Sequence, residues 1–136
     1  MTGTAAAVVE RLHRELLASR DLAAVDDFFA PAFESHNTPP GLPPGREGVK
    51  AFFALFRDGL TDLDVRIDAI VADGDRAAVA TTIAGVHSGE LFGIPATGRR
   101  VEVAGIDIVR VDSDGRIAEH RGLTDTVGLL RQLGAA

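Results

Sequence analysis

Between Leu63 and Leu123 the chain breaks into four runs of strand character separated by turn signals, and this stretch restricts the fold more than any other. Leu63, Val65, Ile67, Ala69 and Val71 alternate with Asp64, Arg66 and Asp68, the period of a half-buried strand. Asp73-Gly74 then supplies a hairpin turn, and Arg76 to His87 continues with small and β-branched residues. Residues 88–99, with three glycines and a proline, read as a crossing loop, after which Arg100 to Asp112 and Arg116 to Leu123 form a last hairpin. Such strands need something apolar laid against one face.

The preceding third of the chain supplies it. Val8, Val9, Leu12 and Leu16 share one stripe of a helix over Thr4 to Ala18. Asp21 caps a second helix, Leu22 to Ala30, which Pro31 stops. A short extended piece around Phe33 to Asn37 runs into Thr38-Pro39-Pro40-Gly41-Leu42-Pro43-Pro44-Gly45, a loop placed to act as a lid or rim. Val49, Phe52, Phe53, Leu55 and Phe56 repeat at helical spacing over Arg46 to Leu60. A short C-terminal helix opens at Asp125 or Thr126 and ends at Gly134. Three helices, four strands and a terminal helix define an α+β class, with helices packed on one face of a curved antiparallel sheet. At 136 residues this is one domain, 1–136.

The register of the last hairpin decides which polar groups are buried. With Ser113-Asp114-Gly115 as a three-residue loop, Asp112 faces Arg116 and Asp107 lies opposite Arg121. Val101, Val103, Val109 and Val111 then share the covered face with Ile117 and Leu123. Asp107, Glu119, Arg121 and Asp125 are expected to project into the concave side. A four-residue loop would instead set the valines against Arg116, Ala118 and His120. The first register is preferred, because it keeps that face apolar.

Several short sequences carry a family resemblance. His87-Ser88-Gly89-Glu90-Leu91-Phe92-Gly93-Ile94-Pro95-Ala96-Thr97-Gly98, Gly105-Ile106-Asp107-Ile108, Asp114-Gly115-Arg116-Ile117-Ala118-Glu119-His120, Asp125 and Gly128-Leu129-Leu130-Arg131-Gln132-Leu133-Gly134, in that order, resemble the SnoaL-like polyketide cyclase or ester cyclase family. Phe33-Glu34-Ser35-His36-Asn37 extends the likeness upstream. The one departure is Arg121, where the family usually has an aromatic residue. The resemblance implies a cone-shaped, nuclear-transport-factor-two-like fold and a homodimer paired through open sheet faces. It also implies cofactor-independent acid/base chemistry on a hydrophobic, carbonyl-bearing small molecule.

On that resemblance Asp125, just before the terminal helix, is the general acid/base of an intramolecular aldol closure. A carboxylate in an apolar pocket has its pKa raised toward working pH, which suits the role. Asp125 is equally an ordinary helix N-cap. Asp107 is either a second catalytic carboxylate or half of a structural pair with Arg121. His87, before the crossing loop, and His36 with Asn37, beside the proline-rich loop, are candidate substrate donors, each weighed against a plain structural role. Phe53 and Phe56 are candidate pocket walls that serve equally well as core. The set Asp107, Arg121 and Asp125 also resembles, in residue types, the Asp-Arg-Asp group of limonene-epoxide-hydrolase-like relatives, which leaves epoxide opening as an alternative. Cofactor-free hydroxylation, and a binding or dimerisation module without catalysis, are the others.

Other classes are disfavoured by composition. With 14 basic against 20 acidic residues and a single lysine, Lys50, the chain lacks the basic footprint of a nucleic-acid binder. It has no cysteine, so thiolate catalysis and cysteine-ligated metals are excluded. His36, His87 and Asp125 lack a short ligand spacing, and no metal site or cofactor is expected. No stretch approaches the roughly 20 apolar residues of a membrane span. The N-terminus has no signal-peptide pattern, and the expected location is the cytoplasm.

Overall fold

The computed structural model describes residues 4–19, 21–39 and 41–135, with the side chains of 17–19 left aside. Helix α1, Ala5–Ser19, is followed by a 3-10 turn, Leu22–Ala24, in which Asp21 Oδ1 accepts the Ala23 N–H at 2.9 Å, as the capping signal predicts. Helix α2 is only Val25–Phe28, because Phe29 is already extended (φ −114°, ψ 135°). Here the sequence reading fails: the second helix does not reach Ala30, and Phe29–Ser35 is strand β1, a fifth strand. Pro31 explains why, since it lacks the N–H that a helix would need and is tolerated on a sheet edge.

Helix α3 is Gly45–Gly59, and the strands are β2 Leu60–Asp73, β3 Arg76–His87, β4 Arg100–Val111 and β5 Ile117–Thr124, before helix α4, Thr126–Gln132. The sheet order is β1-β5-β4-β3-β2. All neighbours are antiparallel except β1 with β5, so the sheet is mixed rather than wholly antiparallel. Thr38, Pro39 and 41–44 form no regular element, as their prolines require; Pro40 lies outside the described residues.

Two apolar clusters occupy the helix-covered, inner face. Ala5, Val8, Val9 and Leu12 of α1 pack with Phe29, Phe33, Val79, Val109, Val111 and Ile117. Phe56, Leu60, Leu91, Val101, Val103, Leu129 and Leu133 form the second cluster at the other end of the sheet. Helix α4 is fastened by Gln132, whose Oε1 accepts the Glu102 N–H at 2.8 Å and whose Nε2 donates to the Glu102 carbonyl at 2.7 Å. No described helix is long and apolar enough to cross a membrane.

The β4–β5 hairpin holds the main departure from expectation. Its turn is the three-residue loop: the Asp112 N–H donates to the Arg116 carbonyl at 2.8 Å, and Gly115 takes φ +77°, a left-handed value that disfavours a side chain. Val111 pairs with Ile117, but the next pair is Arg110 with Glu119. Ala118 is therefore an extra residue, a β-bulge. Beyond it every side chain of β5 changes face. Asp107 lies opposite Gly122 instead of Arg121, and Val109 opposite His120. Leu123, expected in the core, is 74% exposed.

Candidate active site

The bulge puts His120, Gly122 and Thr124 on the inner face and turns Glu119, Arg121 and Leu123 outward. On the inner face His120 Nε2 donates to Asp107 Oδ1 at 2.7 Å. On its other side His120 Nδ1 lies 3.4 Å from Ser35 Oγ, at the limit of a hydrogen bond from the hydroxyl, because Ser35 is its partner on parallel strand β1. The Phe33 ring stands 6.3 Å from the imidazole. Both histidine nitrogens are thus engaged, while Asp107 Oδ2 has no partner among the described residues. The Asp107 side chain is 33% exposed, so that oxygen can be reached from solvent. No arginine or lysine pairs with Asp107 among the described residues.

Asn37 completes this rung. Its Oδ1 accepts the Gly122 N–H at 2.9 Å, as a further residue of β1 would, and this leaves its amide NH2 without a partner among the described residues. His36, its neighbour, goes the other way. On the outer face its Nε2 meets Glu119 Oε2 at 2.6 Å and Glu34 Oε1 at 3.4 Å. Arg110 Nε donates to Glu119 Oε1 at 2.7 Å. The Arg110 guanidinium, and secondarily His36, hold the Glu119 carboxyl down at about 2. Glu34, His36 and Glu119 bring three possible ligand atoms within 4.8 Å of one another. Arg110 already neutralises the central carboxylate, and the group is accounted for as an ion-pair network.

The other expected site residues are dispersed. Asp125 is exposed and caps α4, its Oδ1 accepting the Gly128 N–H at 2.9 Å. Arg121 points outward across from Ile108 and has no partner among the described residues. The Asp107, Arg121 and Asp125 grouping needed for epoxide opening is therefore not assembled, and the pair expected between Asp107 and Arg121 is replaced by one between Asp107 and His120. His87 is not at a pocket mouth but wholly buried. Its Nδ1 accepts the Thr97 N–H at 3.1 Å, and the Thr97 hydroxyl lies 2.9 Å away, which fastens the ends of the 88–99 loop. Accepting a backbone N–H puts the ring proton of neutral His87 on Nε2, which is buried with no partner.

Phe53 and Phe56 also separate. Phe56 is 2% exposed, with Phe52 and Phe92 at 5.1 and 6.1 Å, and belongs to the core. Phe53 lines a cavity of about 320 Å³ with Leu16, Leu22, Leu60, Leu63 and Val65, with Arg57 and Asp62 among its polar residues. A more open groove of about 540 Å³ runs between α1 and β2. Neither is lined by Asp107 or His120, so the carboxylate–imidazole pair, not the cavities, is the centre of chemical interest.

His120 is the residue that the preferred register turned away from the valine face. A signal for it existed: shifting the register by one residue sets Arg110 against Glu119, an opposite-charge cross-strand pair, and Ile106 against Leu123.

The mixed sheet and its helical cover define a small α+β fold with a carboxylate–histidine pair on the inner face. A model of the SnoaL-like polyketide cyclase family matches residues 7–133, and the chain belongs to that family. It is 32% identical over 108 residues to nogalonic acid methyl ester cyclase of Streptomyces nogalater, which covers 79% of this chain and 78% of that one. It is 48% identical over 50 residues to aklanonic acid methyl ester cyclase DnrD of Streptomyces peucetius, 37% of this chain and 34% of the relative, so that match spans about a third of DnrD. Among solved structures, TsrD of Streptomyces laurentii superimposes with a TM-score of 0.82 at 35% identity, covering 96% of this chain and 97% of TsrD.

Proposed function

We propose that this protein closes a ring by intramolecular aldol addition on a hydrophobic polyketide bearing an esterified carboxyl group, with Asp107 rather than Asp125 as the general acid/base. The observation that carries the reading is the hydrogen bond from His120 to Asp107 Oδ1, which fixes the carboxylate and leaves Oδ2 unpaired. Oδ2 takes a proton from the carbon α to a carbonyl. The resulting enolate carbon attacks a ketone carbon of the same molecule, forming the C–C bond, and the new alkoxide recovers the proton from Asp107. No electrons are gained or lost, so the step needs no redox cofactor. In this reading His120 steadies the carboxylate, and the Asn37 amide, free of other partners among the described residues, donates to the enolate oxygen. The names of the two cyclase relatives support methyl esters as the substrate class.

The test is turnover of nogalonic acid methyl ester or aklanonic acid methyl ester, followed by chromatography and by exchange of the α-hydrogen in heavy water. General acid/base groups contribute about 100- to 10,000-fold, so Asp107→Asn is expected to lose that much in kcat. Wild-type turnover by Asp107→Asn would sink the assignment.

A homodimer through the outer face belongs to the same proposal. Ile106 and Leu123 face each other there, 61% and 74% exposed, beside Ile108 at 42%. Contiguous apolar area rimmed by charges such as Arg110, Glu119 and Arg121 fits a protein partner. Sedimentation should show a dimer for wild type and a monomer for Leu123→Glu; a wild-type monomer would overturn it.

A further inference from the structure

Gly122 is unexplained by its backbone. It lies within β5, outside the left-handed region, where alanine would ordinarily be accepted. Space, not conformation, is what it supplies. A Cβ built on Gly122 would overlap Asp107 Oδ1 and stand 3.0 Å from Asp107 Cγ and 2.8 Å from His120 Nε2. The carboxylate of Asp107 lies across the strand in the volume that a side chain at position 122 would fill, and from there it reaches His120.

We propose that Gly122 is a positioning residue, its missing side chain being the seat of the Asp107 carboxylate. The consequence for catalysis rests on the reading of Asp107 as the acid/base, while the geometric claim stands apart from it. The obstructed atoms are the free ends of two side chains, the Asp107 carboxylate and His120 Nε2, and the carboxylate, which is the more closely overlapped, can turn away about χ1 without moving the strand. Gly122→Ala is therefore expected to leave the fold intact, with Tm within a few degrees of wild type, and to separate Asp107 from His120.

A substrate-free readout exists in the long-range proton–nitrogen spectrum of the uniformly nitrogen-15-labelled protein at about pH 8, where an unperturbed imidazole is neutral. The His120 ring is assigned by its absence in His120→Asn. Wild type is expected to show the proton held on Nε2; in Gly122→Ala that signature is lost and the tautomers average. With a methyl ester substrate, kcat should fall about as far as in Asp107→Asn, and Gly122→Ala added to Asp107→Asn should cause no further fall.

An unchanged His120 spectrum in Gly122→Ala overturns the proposal. If the signature is lost but turnover persists, the positioning stands and the acid/base reading fails. If it is unchanged while Asp107→Asn is inactive, the acid/base reading stands and the positioning fails. Should Gly122→Ala lower Tm strongly, Asp107→Gly added to it vacates the same volume and is expected to restore Tm; failure to restore it would place the cost elsewhere and overturn the proposal.

Discussion

Two carboxylate–histidine pairs meet on opposite faces of β5, through adjacent residues. Inside, His120 and Asp107 stand 2.7 Å apart; outside, His36 and Glu119 stand 2.6 Å apart. Distance alone does not tell them apart. The third participant does: Arg110 occupies the remaining oxygen of Glu119 and keeps it ionised, so this carboxylate has neither an unpartnered oxygen to offer nor a reason to accept a proton near neutral pH. Asp107 has no such cation and keeps one oxygen open. A carboxylate–histidine pair keeps an open oxygen only where no third group satisfies it.

The sharpest way to break this comparison is to neutralise each carboxylate in turn. Asp107→Asn is expected to cost about 100- to 10,000-fold in kcat, whereas Glu119→Gln should stay within a few-fold of wild type in the same assay. Equal losses would show that the outer pair also serves turnover. Asp125 offers a middle-sized contrast, because its carboxylate is engaged by a helix end. Asp125→Ala should lower stability by about 0.5–2 kcal/mol, read from urea midpoints by circular dichroism since the chain has no Trp or Tyr, with turnover of the folded protein retained. A 100-fold loss of kcat there would return the catalytic role to Asp125.

The smallest expected effect is acid stability. Glu119 is held at about 2 in the folded protein, against about 4.3 for an unperturbed glutamate. A carboxyl group depressed on folding stabilises above its unfolded value, and that contribution is lost as pH falls toward the folded one. Between pH of about 4.5 and 2 wild type should therefore lose stability more steeply than Glu119→Gln. Parallel curves would mean that Arg110 and His36 do not hold Glu119 in solution.

Most of the scaffold was legible in the sequence, because periodicity and turn chemistry are local. The helix over Arg46 to Leu60, the Asp21 cap and the three-residue loop at Ser113 each rest on neighbours within a few positions. Of strand β1 only an extended piece from Phe33 onward was read, because a seven-residue segment containing Pro31 gains its partner only from β5, more than 80 residues later. The site was less legible, for a related reason. The residue types Asp107 and Asn37 were picked out, but one extra residue at Ala118 inverted the face of everything after it. Arg121 was therefore drawn in and His120 set aside. The pairings of Arg110 with Glu119 and of Ile106 with Leu123 across the hairpin betray that insertion.

The bulge at Ala118 also governs how roles are carried between this protein and its relatives. Counting forward from the Asp112 turn gives the right face as far as Ile117 and the wrong one afterwards, whereas counting back from α4 gives the right face down to Glu119. Counted forward from the same turn, a relative without the extra residue would present its inward row and its outward row in exchanged positions of the written chain. Loss of that alanine codon would accordingly leave His120 inward and Leu123 outward, because Glu119 would then follow Ile117 in regular alternation, and would take away only the local kink of the strand.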